Sequence, residues 1–111
     1  MLNIETIYKR GILFVKLYGV INKKNTYKLD DILNSAILKV GIKYLLVNFD
    51  NVYYLGGDAF RLISKWNDKL KERGGKIFIC GDKKIKDMVI RFDLDVDTIK
   101  DEISAFNMVR I

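Results

Sequence analysis

The chain has 111 residues and a mass of 12.9 kDa, the length of one domain, so residues 1–111 are read as a single unit. Half of the residues are hydrophobic and 31% are charged, a globular and not a disordered composition. No apolar run reaches the ~18 residues that span a bilayer, one cysteine (Cys80) excludes an intrachain disulfide framework, and the absence of histidine removes the usual general base and metal ligand.

The opening Met1-Leu2-Asn3-Ile4-Glu5 lacks the shape of a signal peptide, so a cytoplasmic protein is expected. The net charge of +6 is polarised. Between Arg61 and Lys86 nine basic residues face three acidic ones, whereas between Asp87 and Ala105 six acidic residues face two basic ones. Such a pattern steers a charged partner, although for any one lysine a solvated helix face explains it equally well.

In chain order, Ile4–Ile7 and Ile12–Tyr18 are rich in β-branched and aromatic residues. With Lys9-Arg10-Gly11 between them they predict a β-hairpin. Gly19 is expected to end the second strand, and Asn22–Thr26 to form a loop in which Asn25 or Thr26 caps the next helix. Leu29, Ile32, Leu33, Ala36, Ile37 and Val40 recur at helical spacing and predict one buried stripe that stops at Gly41.

Tyr44–Phe49 is a nearly continuous apolar run, as in a central strand covered on both faces. Asp50-Asn51 is expected to break it before Val52–Leu55 and the Gly56-Gly57 turn. A second helix follows over 58–73 with Ala59, Leu62, Ile63, Trp66 and Leu70 inward, ended by Gly74-Gly75. Lys76–Cys80 reads as another buried strand. Asp82 is the expected cap of a third helix, whose inner stripe is Ile85, Met88, Val89 and Phe92. Leu94–Val96 is a candidate last strand, and Thr98 with Asp101 resembles a capping box ahead of Ile99, Ile103 and Phe106. The alternation predicts an α/β fold: a mostly parallel, mixed sheet of four to five strands with helices packed on it and an N-terminal hairpin as the antiparallel element. Its apolar content builds a core without a metal or disulfide staple.

Chemistry in such folds concentrates at strand–turn–helix junctions. Here that junction is Tyr54–Ala59. A helix N-terminus favours negative charge, Gly56 and Gly57 let backbone approach a partner, and Asp58 supplies a carboxylate at the favourable end of the dipole. The plain alternative is that Asp58 caps and the glycines turn. Neither G-x-x-x-x-G-K-[ST] nor G-x-G-x-x-G occurs.

Several segments carry a family resemblance: Val15–Ile21, Tyr44–Asn48, Asn51–Tyr54 and Arg73–Ile77. Across residues 10–106 the chain resembles a STAS domain, the fold of bacterial anti-sigma factor antagonists. In that family the turn reads Asp-Ser-Ser-Gly, and its second serine is phosphorylated by the partner anti-sigma kinase. Aligned without gaps from Gly74-Gly75, the four positions are Gly56, Gly57, Asp58 and Ala59, with Asp58 at the serine; a one-residue shift selects Leu55–Asp58 instead. Either alignment lacks a hydroxyl, so the resemblance implies a regulator with no phospho-switch at this turn. Asp58 either imitates the phosphorylated state or marks a lost switch.

The leading reading is therefore a non-catalytic module that binds a protein, an anti-sigma factor or kinase-like regulator, through Gly56, Gly57, Asp58, Ala59, Arg61 and Lys65, with Asn22 and Lys24 of the neighbouring loop. Arg61, Lys65 and Lys69 form a basic stripe for an acidic surface. Tyr53 and Tyr54 either join that surface or pack at the strand end. A nucleic-acid-binding module is the alternative, prompted by a pI near 9.4, but Trp66 falls on the buried stripe and leaves few aromatics for stacking. An enzyme is the weakest reading. Cys80 lies among Ile77, Phe78 and Ile79 as a buried thiol, and Asp93-x-Asp95-x-Asp97 lacks the glycine and terminal glutamate of a calcium loop. No metal or cofactor is expected. A homodimer through the unpaired hairpin edge is a further option.

Overall fold

The structure is a computed structural model and describes residues 1–109. Strand β1 (Leu2–Lys9) and strand β2 (Ile12–Ile21) form the expected antiparallel hairpin. Arg10 and Gly11 both adopt positive φ (51° and 81°), the turn handedness that matches strand twist. Strand β3 (Tyr44–Leu55), β4 (Lys76–Cys80) and β5 (Asp97–Ile99) add in parallel, giving a five-strand mixed sheet ordered β1-β2-β3-β4-β5. The expected α/β class and N-terminal hairpin are both present.

Helices α1 (Thr26–Asn34), α2 (Gly57–Glu72) and α3 (Lys83–Arg91) cover one face. Their inward residues Leu29, Leu33, Phe60, Ile63, Ile85 and Val89 join Val15, Leu17, Leu45, Val47, Ile77 and Ile79 of the strands in one core. The opposite face is covered by α4 (Glu102–Met108), where Ala105 and Phe106 pack on Ile12, Phe14, Leu46, Phe78 and Ile99. The central strand β3 is thus buried on both sides from Leu45 to Phe49, as its unbroken apolar run implies.

Five local expectations are corrected. Gly19 does not end β2; the strand runs on to Ile21. Gly19 sits at φ 103°, where a Cβ would run into the Met1 carbonyl oxygen, and the pairing with β3 slips on either side of it, as at a bulge. That bulge keeps β2 beside β3, so Asp50-Asn51 does not interrupt β3 either: Tyr18 pairs with Asn51 and Ile21 with Leu55. The last turns before Gly41 widen into a π-helical segment, Ser35–Val40. This rotates Val40 off the buried stripe and leaves it 69% exposed.

The final strand is Asp97–Ile99 and not Leu94–Val96. Asp93 turns the chain at φ 52°, Leu94 and Val96 pack on the core as loop residues, and pairing begins where Asp97 meets Phe78. Finally, Thr98 is a strand residue and Asp101 is itself the N-cap of α4. The Asp101 carboxylate accepts from the Ser104 hydroxyl (2.7 Å) and amide (2.9 Å), which hold it below the usual carboxylate range. Ile103 of this helix is 75% exposed.

Candidate functional site

The C-terminal ends of β2 and β3 and the start of α2 meet at one end of the sheet. The Gly56 amide donates to the Ile21 carbonyl (3.1 Å), tying the two strand ends together. The loop after β2 is stiffened by two asparagines. Asn22 Oδ1 accepts from the amides of Lys24 (2.9 Å) and Asn25 (3.2 Å). Asn25 Oδ1 accepts from the Asn22 amide (2.8 Å), and its Nδ2 donates to the Val20 carbonyl (2.9 Å). Asn25 therefore stands at the N-cap position of α1 without capping it, contrary to expectation, because its side chain is spent on the loop. Lys24 projects into solvent at the loop's apex.

Helix α2 opens at Gly57 with no side-chain cap; Gly56 is extended and precedes it. Its first turn keeps unpaired N–H groups and the positive end of the helix dipole. Gly57 packs closely under Phe92: a Cβ there would lie 2.9 Å from that ring, so the ring would have to shift. Phe92 stacks on Phe60 (centroids 5.6 Å, 16°), and Phe60 on Phe49 (5.9 Å, 22°), so three rings form a floor under the tip.

Asp58 lies on the first turn, partly exposed, with its carboxylate 3.2 Å from the largely exposed Arg61 guanidinium. Ala59 is fully buried and anchors the turn from below. Lys65 does not stand free. Its ammonium is 3.1 Å from Asp30 Oδ1 of α1, and the same oxygen accepts from Trp66 Nε1 at 2.7 Å. Burial pushes the Asp30 carboxyl up, but the bonds from Trp66 and Lys65 outweigh it and hold the group below its ordinary value. Of the expected basic stripe, Arg61 and Lys65 are thus already matched by carboxylates. Tyr53 and Tyr54, just before the tip, are 83% and 57% exposed.

Phe60 is fully buried beneath the tip. Two side chains that brace α2 against the rest of the fold escaped sequence reasoning. Asp30 joins α1 to α2, and only its position opposite an indole gives it that role. Asn67, buried on α2, accepts from the Ile77 amide (2.9 Å) and donates to the Asp95 carbonyl (2.6 Å), holding β4 and the loop before β5 in place. The alternating aspartates before β5 are drawn into ion pairs: Asp95 with Lys71, and Asp97 with Lys76 at 2.8 Å. Cys80 is fully buried beside Asp50. Burial and then the Asp50 charge push its thiol up to about 12, so it remains protonated and a poor nucleophile.

No family model and no curated protein matches the sequence. Solved structures do match it, and they define its class: a STAS-type fold, the fold of anti-sigma factor antagonists. The chain superposes on an anti-sigma factor antagonist from Mycobacterium paratuberculosis with a TM-score of 0.83 at 15% identity, covering 100% of this chain and 96% of that one. SpoIIAA in its unphosphorylated form matches with a TM-score of 0.79 at 15% identity, over 99% and 98% of the two chains. A Thermotoga maritima protein described as a candidate anti-sigma factor antagonist matches with a TM-score of 0.86 at 13% identity, over 97% and 95% of the two chains. Among the described residues, no helix is long and apolar enough to cross a membrane.

Proposed function

We propose that this chain is a non-catalytic, cytoplasmic regulator of the anti-sigma factor antagonist kind, which docks on a protein partner through the tip formed by Asn22, Lys24, Gly56, Gly57, Asp58 and Arg61. The observation that carries the reading is the placement of Asp58. It sits at the surface on the uncapped first turn of α2, beside two exposed tyrosines and at the end of the central strand. Lys65 and Ala59 support the tip from behind and below.

Asp58 takes the place of the family's phosphorylated serine, and the Arg61 guanidinium at 3.2 Å offsets its single charge. A phosphate carries about 1.5 to 2 negative charges and three acceptor oxygens. The Asp58–Arg61 pair therefore resembles the unmodified tip more than the phosphorylated one, and binding is constitutive. The test is titration calorimetry against ATPase-fold anti-sigma kinases of the same organism, at low and high salt, with and without ATP. The expected result is a complex that weakens as salt rises and does not dissociate on adding ATP, whereas Asp58→Ser restores ATP-driven release. Failure of every candidate kinase to bind, or ATP-driven release of the unaltered protein, overturns the reading.

A further inference from the structure

Strand β1 is the edge of the sheet: among the described residues it pairs with β2 alone, in an unbroken register without bulge or proline. The Val20 amide donates to the Met1 carbonyl (3.1 Å). Since hydrogen-bonded pairs alternate along an antiparallel ladder, the odd-numbered residues of β1 turn their N–H and C=O groups toward β2. Leu2, Ile4, Thr6 and Tyr8 turn theirs outward, to an open edge eight residues long.

Such an edge is a template for another strand, and natural edges are usually blunted. The side chains say which strand fits. Glu5, Ile7 and Lys9 share the face covered by α4, because Ile7 pairs with Phe14 and Lys9 with Ile12. A second copy approaching antiparallel across a two-fold axis can take only a few registers. With Glu5 on the axis, two like charges face each other. With Thr6 on the axis, Glu5 meets Ile7 and Lys9 meets Asn3. With Ile7 on the axis, Glu5 of each copy faces Lys9 of the other, Ile7 faces Ile7, and Thr6 exchanges backbone hydrogen bonds with Tyr8. Only this last register matches both charges.

The same register puts the exposed apolar surface on the axis. Ile7 is 52% exposed and lines a hollow of about 280 Å³ with Phe14, Ile103 and Phe106. Tyr8 and Val40 lie exposed on the opposite face. Among the described residues neither Glu5 nor Lys9 forms an internal ion pair. We propose that β1 is the interface of a two-fold homodimer in which Glu5 pairs with Lys9 of the second copy and Ile7 packs against its own counterpart, joining the two sheets into one of ten strands. The axis crosses the end of β1 that pairs with the start of β2, so both α2 tips stay free for partners.

Sedimentation equilibrium and oxidative cross-linking of the whole chain test this. A dimer is expected at micromolar concentrations. Glu5→Lys or Lys9→Glu alone should weaken it about tenfold or more, and the double exchange should recover most of that loss, as cross-strand charge pairs require. Opposed residues at a non-hydrogen-bonded position come within disulfide reach, so Ile7→Cys should cross-link on mild oxidation while Thr6→Cys should not; the native Cys80 is buried. Circular dichroism checks that each variant is folded. A folded protein that stays monomeric up to about 0.5 mM, a dimer indifferent to both charge changes, or preferential cross-linking at Thr6 overturns the proposal.

Discussion

Replacing Asp30 by alanine tests how α1 is fastened to α2 behind the tip. Two donors converge on one carboxylate oxygen: Trp66 Nε1 at 2.7 Å and Lys65 Nζ at 3.1 Å. The lysine is about half exposed, and such surface pairs contribute about 0–1 kcal/mol. The indole is different, because Trp66 is only 6% exposed and its N–H would lose its acceptor at a cost of about 1–3 kcal/mol. The expected destabilisation is therefore about 2 kcal/mol, most of it from the indole, which for a chain of this size lowers Tm by about 8 °C. Asp30→Asn keeps an acceptor oxygen and should cost less than half as much. Urea unfolding followed by the fluorescence of Trp66, the sole tryptophan, measures both variants. Equal stabilities for the alanine and asparagine variants would refute the assignment of the energy to the indole bond. Acid offers an independent check. The folded carboxyl titrates below its unfolded value, so the stability it contributes is full above the ordinary aspartate range and is lost as pH falls through the folded pKa. That acid-side slope should shrink in Asp30→Asn.

Two further outcomes follow from the packing. Gly57→Ala forces a methyl group to 2.9 Å from the Phe92 ring and should cost about 1–3 kcal/mol in chemical denaturation, with Phe92→Leu in the same chain recovering part of the loss. The Cys80 thiol has a raised folded pKa of about 12 against an unfolded value of 9.0, so its contribution is intact below pH 9 and disappears as pH rises toward 12. Stability should fall over that alkaline window and fall less in Cys80→Ala, while a thiol reagent at neutral pH should label the native protein only as fast as it opens.

Those elements whose period and length agreed were legible in the sequence. The hairpin, the doubly covered run over Tyr44–Phe49, the stripe of α2 and the Asp82 cap all appear in the structure, and Asp82 indeed accepts from the Ile85 amide at 3.2 Å. What escaped was decided by contacts between segments distant in sequence. Gly19 looked like a terminator because glycine usually is one; the approach of Met1 makes it a bulge inside a longer strand. Asp97–Ile99 became β5 because β4 was there to pair with, whereas the alternation of Leu94-Asp95-Val96 reflects packing of Leu94 and Val96 on the core as loop residues. At the tip, the positions of Gly56, Gly57 and Asp58 could be read from the turn. The three-ring floor beneath them could not, since Phe49, Phe60 and Phe92 come from three different elements.

The consecutive order of the sheet bears on how the protein is born. Each strand lies beside the one synthesised just before it, so as the chain leaves the ribosome every new strand finds its neighbour already made and no pairing waits for a distant terminus. Only α4 arrives late. Until it emerges, Ile12, Phe14, Leu46 and Phe78 remain as a greasy panel on an otherwise finished sheet, the interval in which nascent chains are most prone to stick to one another.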